Sequence, residues 1–168
     1  MGTPGPGRGS SGSGGMTDAL RERVRSAVAA VDDPEYPGIS ITDLGLVEAL
    51  DVTPDGDVVV GLIPTFSGCP ALSMIADDVR SAVADLDGVT TVDVRWLGAP
   101  VWTIDRVTDV ARATMAREFT VAVRIGREPV SCPRCGSSTM EDSMFGPSRC
   151  RAVHVCPSCA EVIEVMRA

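Results

Sequence analysis

Four of the six cysteines fall in two Cys-x-x-Cys pairs near the end of the chain, Cys132-Pro-Arg-Cys135 and Cys156-Pro-Ser-Cys159, with twenty residues between them. This is the spacing of a four-thiolate metal site built from two hairpin corners, each presenting two sulfurs on one side of a tight turn. Gly136 follows the first pair, where such a turn favours a residue without a Cβ. The segment from Pro129 to Ala168 has little else to fold around. Its size is one at which a chain usually needs a metal or disulfides to fold alone. Structural zinc contributes roughly 10–16 kcal/mol of apparent binding free energy, which becomes folding free energy. Cys132, Cys135, Cys156 and Cys159 are therefore the expected metal ligands. Their spacing accommodates zinc or an iron–sulfur cluster and does not separate the two.

Cys69 and Cys150 remain. Cys69 sits in the loop Pro64-Thr65-Phe66-Ser67-Gly68-Cys69-Pro70, just before an expected helix with Pro70 as its first residue. Unpaired N–H groups and the helix dipole favour an anion there, and a thiol so placed is expected to fall towards ~7 or lower. An accessible thiolate would handle a soft metal, while the competing reading is a buried small hydrophobe. Cys150 is a fifth thiol beside the four-cysteine site: an extra ligand, a redox partner or a buried ribbon residue. His154 could replace a thiolate but reads better as an exposed strand residue. Asp32, Asp33 and Glu35 are hard ligands or a proton relay near Cys69, or, as the preferred reading, solvated turn residues.

Composition removes several functions. The chain has no lysine, hence no Schiff base and no phosphate-loop lysine, and His154 is its only histidine. Neither a di-iron carboxylate centre with Glu-x-x-His pairs nor a two-histidine iron triad can be assembled. From Met16 to Glu128 ten arginines face nineteen acids, whereas the tail balances four against four. An acidic body is a poor polyanion binder, so nucleic acid is not an expected partner. No signal peptide or hydrophobic span is visible, which points to a reducing cytoplasm and no membrane.

These residues need elements to hold them. Residues 1–15 form a Gly/Ser/Pro run expected to be disordered. Thr17–Val31 repeats Leu20, Val24, Val28 and Val31 at helical spacing, with Thr17 as N-cap. Asp32–Gly38 reads as a loop. Two strands follow, ending at Val52 and spanning Val58–Ile63, joined by the turn Thr53-Pro54-Asp55-Gly56-Asp57. Leu72, Ile75, Val79 and Val83 mark a helix, Val89–Trp96 a third strand and Ile104–Phe119 a last helix. Thr120–Val130 is a short strand or a connection. The expected class is α+β: a small mixed sheet with packed helices in the order α-β-β-α-β-α over residues 16–128, then a ribbon-like four-cysteine module over 129–168.

Three stretches taken in order, Asp33-Pro34-Glu35, Thr42-Asp43-Leu44-Gly45-Leu46-Val47 and Pro64–Pro70, resemble the landmarks of the small iron–sulfur assembly domain typified by SufT. Joined to the cysteine-rich tail, the whole resembles the PaaD family, accessory subunits of bacterial phenylacetyl-CoA ring epoxidase. The resemblance implies that Cys69 is a metal-handling thiol carrying iron or an iron–sulfur cluster transiently, with Asp33, Glu35 and Thr65 as neighbours. It also places Cys150 in the recurring tail pattern. After Cys159 the chain lacks the Pro-Phe and lysine-bearing ending associated with the family. The implied role is non-catalytic maturation or metal delivery. Its implied partners are the oxygenase and reductase subunits or iron–sulfur assembly proteins, and a homodimer is compatible with the sequence. A general iron–sulfur carrier and a zinc-ribbon adaptor are the alternatives.

Overall fold

The computed structural model describes residues 13–126, 128–147 and 150–166. Most of the expected disordered run, residues 1–12, lies outside the described residues. Helix α1 spans Ser13–Ala29, so Thr17 is inside it and is not its N-cap. Leu20, Val24 and Val28 form its buried stripe at four-residue spacing.

The expected loop after α1 is a hairpin. Strands β1 (Asp32–Asp33) and β2 (Tyr36–Ser40) pair antiparallel, with Asp33 opposite Tyr36. Its acids make the turn: an Asp33 carboxylate oxygen accepts the Glu35 N–H at 2.8 Å, and Asp32 accepts the Gly38 N–H at 2.8 Å.

Strands β3 (Val47–Val52) and β4 (Asp57–Leu62) are antiparallel, and β5 (Thr91–Trp96) pairs parallel to β4. Parallel neighbours need a crossover, which helix α2 (Leu72–Ala84) supplies. It buries Ile75, Ala76, Val79 and Val83, most of them in the main core. The segment after β5 returns across Asp43-Leu44-Gly45. The Trp102 indole N–H donates to the Leu44 carbonyl at 2.9 Å, and Arg106 Nε donates to the Gly45 carbonyl at 2.8 Å. Gly45 has φ +71°, and a Cβ there would overlap Arg106.

The single helix expected over Ile104–Phe119 is broken. A 3₁₀ turn at Ile104–Arg106 gives way to extended Val107, and Thr108 starts a new helix by accepting the Ala111 N–H at 3.2 Å. That helix, α3 (Asp109–Thr114), widens into a π turn over Met115–Phe119, which ends at Thr120 in the left-handed region, φ 55°.

Strand β6 (Val121–Val123) then joins the sheet of the tail. With β7 (Met140–Ser143), β8 (Arg151–Val155) and β9 (Val162–Met166) the order is β6-β9-β8-β7, and β6 is parallel to β9. The boundary expected at 128/129 therefore falls between hydrogen-bonded parts of one sheet. Val121 from one side of it and Met166 from the other both pack into the main core.

Candidate metal centre and thiol pocket

The four tail cysteines come together. Their sulfurs all lie within 4.8 Å of one another, with Cys132–Cys159 at 3.7 Å and Cys135–Cys156 at 3.5 Å. Four metal–sulfur bonds of about 2.3 Å in a tetrahedron would put sulfurs about 3.8 Å apart, so the group fits one tetrahedral ion. A multi-iron cluster would hold its thiolates further apart, because iron and sulfide atoms stand between them.

The two corners repeat one construction. In the first, Gly136 N–H donates to the Cys132 carbonyl at 2.9 Å and Cys132 N–H to the Ser137 carbonyl at 2.8 Å. In the second, Ala160 N–H donates to the Cys156 carbonyl at 2.9 Å and Cys156 N–H to the Glu161 carbonyl at 2.9 Å. Gly136 has φ +76°, and Ala160 takes the equivalent left-handed position at φ +58°. The Ser137 hydroxyl and amide hold the Cys135 thiol down at about 6. Cys159 accepts the Glu161 amide, which lowers it, but contacts with Cys156, Cys135 and Cys132 push it up to about 12. Sulfurs this close ionise together only against a cation.

His154 is buried, not exposed as expected. Thr139 donates its hydroxyl to the Val130 carbonyl at 3.0 Å, so its oxygen accepts from His154 Nδ1 at 2.9 Å. Nε2 then accepts from Arg124, which can only donate, at 3.0 Å. The ring is thus neutral and braces the hairpin; it is not a metal ligand in this group. Burial lowers its pKa first, and Arg124 lowers it further.

Cys150 does not join the four. It lines, together with Cys69, a cavity of about 240 Å³ walled by Phe66, Pro70 and Pro147 and bordered by Glu35. Thr65 is half-buried in the same loop as Cys69 but is not a wall of this cavity. Pro70 precedes α2 rather than opening it, since the helix begins at Leu72. The thiol is not activated as the sequence suggests. Burial pushes Cys69 up, against the lowering effect of the Ala71 amide, and the Glu35 and Asp33 carboxylates add to the rise. Burial likewise raises Cys150, with Arg151 opposing it. Asp33 is buried rather than solvated, and desolvation raises its carboxyl against the Glu35 amide.

Arg151 is the residue that sequence reasoning misses. Its guanidinium is buried, donates to Glu164 at 2.6 Å and to Glu35 at 2.8 Å, and lies 4.5 Å over the Tyr36 ring. Phe119, delivered by the π turn, meets the same ring edge-on at 5.4 Å. The available signal is a charged residue opening the strand Arg151-Ala152-Val153-His154-Val155, next to a cysteine.

Residues 21–94 match the family described as iron-sulfur cluster assembly protein, and residues 117–167 match the PaaD zinc beta ribbon domain. A protein of Escherichia coli (strain K12), provisionally named as a subunit of 1,2-phenylacetyl-CoA epoxidase, is 36% identical over 152 residues, 86% of this chain and 90% of that one. The chain belongs to the PaaD family. The Fe-S protein maturation auxiliary factor YitW of Bacillus subtilis (strain 168) is 36% identical over 100 residues, 60% of this chain and 97% of its own length. Among solved structures, a domain of unknown function, DUF59, from Bacillus anthracis matches with TM-score 0.56 at 25% identity, covering 61% of this chain and 96% of that one. In this PaaD-family chain the ribbon match starts at residue 117, so it takes in most of the π turn and all of β6. That agrees with the sheet, in which β6 is a strand of the ribbon. No helix among the described residues is long and apolar enough to cross a membrane.

Proposed function

We propose that this chain is a non-catalytic accessory subunit for maturation of a phenylacetyl-CoA ring epoxidase. Cys69 handles iron or an iron–sulfur centre as cargo, while a resident zinc ion held by Cys132, Cys135, Cys156 and Cys159 shapes the ribbon. The observation that carries this reading is the thiol pocket itself: Cys69, in the domain matching iron–sulfur assembly proteins, lines a cavity between that domain and the ribbon, apart from the closed four-sulfur group. Zinc is favoured at the tail by the sulfur spacing, which suits one ion. The partners are the oxygenase and reductase subunits, or iron–sulfur assembly proteins, in the cytoplasm; the acidic body does not favour nucleic acid.

A general maturation role is favoured by one observation, the match over 97% of a relative named as a maturation factor. A deletion strain separates the two. Loss of growth on phenylacetate alone, with lowered iron in the oxygenase subunit, fits the dedicated role; broad loss of iron–sulfur enzyme activity fits the general one. Complementation with soluble Cys69→Ala should fail. Full rescue by that variant would remove Cys69 from the function.

A further inference from the structure

The ribbon does more at the thiol pocket than pack against it. Cys150 and Arg151 belong to the tail, whereas Cys69 and Glu35 belong to the assembly domain, and the cavity lies between them. We propose that Cys69 and Cys150 together form a second, exchangeable metal site that binds one thiophilic divalent cation through two sulfurs. This rests on the reading of Cys69 as a metal-handling thiol and adds its partner ligand.

Several observations converge on it. Two cysteines from distant segments of the chain line one space large enough for an ion and its remaining ligands. Phe66, Pro70 and Pro147 supply apolar walls, and the one side-chain oxygen donor among the lining residues, the Glu35 carboxylate, is engaged by Arg151 at 2.8 Å, so two sulfurs are the main donors and a thiophilic cation is the matching one. Cys150 is anchored through its neighbour Arg151. Arg151 is fixed by ion pairs at 2.6 and 2.8 Å, and the Gly146 N–H donates to the Arg151 carbonyl at 2.8 Å. The contrast with the tail group is chemical: four sulfurs close a tetrahedron and retain an ion, whereas two leave positions through which a recipient's ligands can take it. The ribbon thereby supplies half of the cargo site, and the resident ion acts by holding Cys150 in register with Cys69.

Cobalt(II) tests this on the full chain, reduced, zinc-loaded and kept under anaerobic conditions. One equivalent beyond the zinc should bind with a sulfur-to-cobalt charge-transfer band. Cys69→Ser and Cys150→Ser should each weaken that binding at least about tenfold while the zinc stays in place. Should Cys150→Ser also lose zinc, the unmutated protein decides: cobalt should shield Cys69 and Cys150 together from iodoacetamide, as mapped by mass spectrometry. If only Cys69→Ser matters and only Cys69 is shielded, the two-sulfur site is wrong while the Cys69 reading stands. If no cobalt beyond the zinc binds, or neither substitution changes it, both readings fall.

Discussion

Arg151 ties the ribbon to the assembly domain through one guanidinium shared between Glu35 and Glu164, whose side chains keep 32% and 28% exposure. Removing it strands two carboxylates and uncovers the Tyr36 ring. Arg151→Ala should cost about 2–3 kcal/mol, less than a fully buried pair because water still reaches both acids. Denaturant unfolding measures it, and a loss below about 0.5 kcal/mol would mean that the pairs contribute little. Asp33 works in the opposite direction. Its folded pKa is raised by burial, so its charged form opposes folding and its favourable contribution is lost as pH rises through the folded value. Asp33→Asn keeps an acceptor for the Glu35 amide without the charge. The variant should melt higher than the parent at pH 7, and the gain should vanish below about pH 4, where the parent is protonated in both states. A gain that persists at low pH would assign it to something other than charge.

At the scale of the element, the two knuckles share one backbone path but not one sequence. Gly136 meets the left-handed requirement without strain, and Ala160 meets it with a Cβ. Ala160→Gly should stabilise the metal-bound ribbon by about 0.5–1 kcal/mol, visible as a higher melting temperature, whereas Gly136→Ala should lose a similar amount. Effects of the same sign at the two sites would show that backbone strain is not what distinguishes them. The Asp43-Leu44-Gly45 turn is constrained more tightly. There a left-handed φ coincides with direct contact against Arg106, so Gly45→Ala should cost about 2 kcal/mol or more. Its effect on the pocket should come only through lost stability, since the turn is bolted to Trp102 and Arg106 rather than to Cys69.

At the scale of the molecule, the metal group and the main core are mechanically linked. β6 leaves the π turn, pairs with β9 and carries Val121 into the main core, where Met166 joins it. Replacing Cys132 with Ser, or stripping the ion, should therefore loosen more than the tail. Hydrogen exchange should rise in β8 and β9 and also at Val121–Val123 and around Tyr36, while α2 and the β3-β4-β5 sheet stay protected. Loss of protection confined to Pro129–Met166 would instead favour the independent module that the cysteine spacing suggests. The chain alone, given iron, a reductant and phenylacetyl-CoA, should form no epoxide, because its sequence supplies no histidine pair for an oxygen-activating iron. Turnover by the isolated protein would refute the accessory role.

The sequence determined the local features: the two Cys-x-x-Cys corners, the apolar stripes of α1 and α2, and the Thr53–Asp57 turn follow from spacing and turn chemistry within a few residues. It also determined what chemistry is missing, since no fold can supply a lysine or a second histidine. Spacing gives no account of meetings across the fold. Thr108 has a cap to offer, and that local bond breaks a helix that periodicity alone runs through to Phe119. Acids in a Pro-flanked loop are usually solvated, but the β1-β2 hairpin turns Asp33 inward. Cys69 stands where a helix N-terminus lowers a thiol, yet desolvation in the packed pocket outweighs the Ala71 amide and raises it. Cys150 lies close to Cys156 in the chain, but its place on the cavity that Cys69 lines is set by the pairing of β6 with β9 and the grip of Arg151 on Glu35. Those contacts join residues about 40 to 120 positions apart, and only tertiary packing decides between partners at that separation.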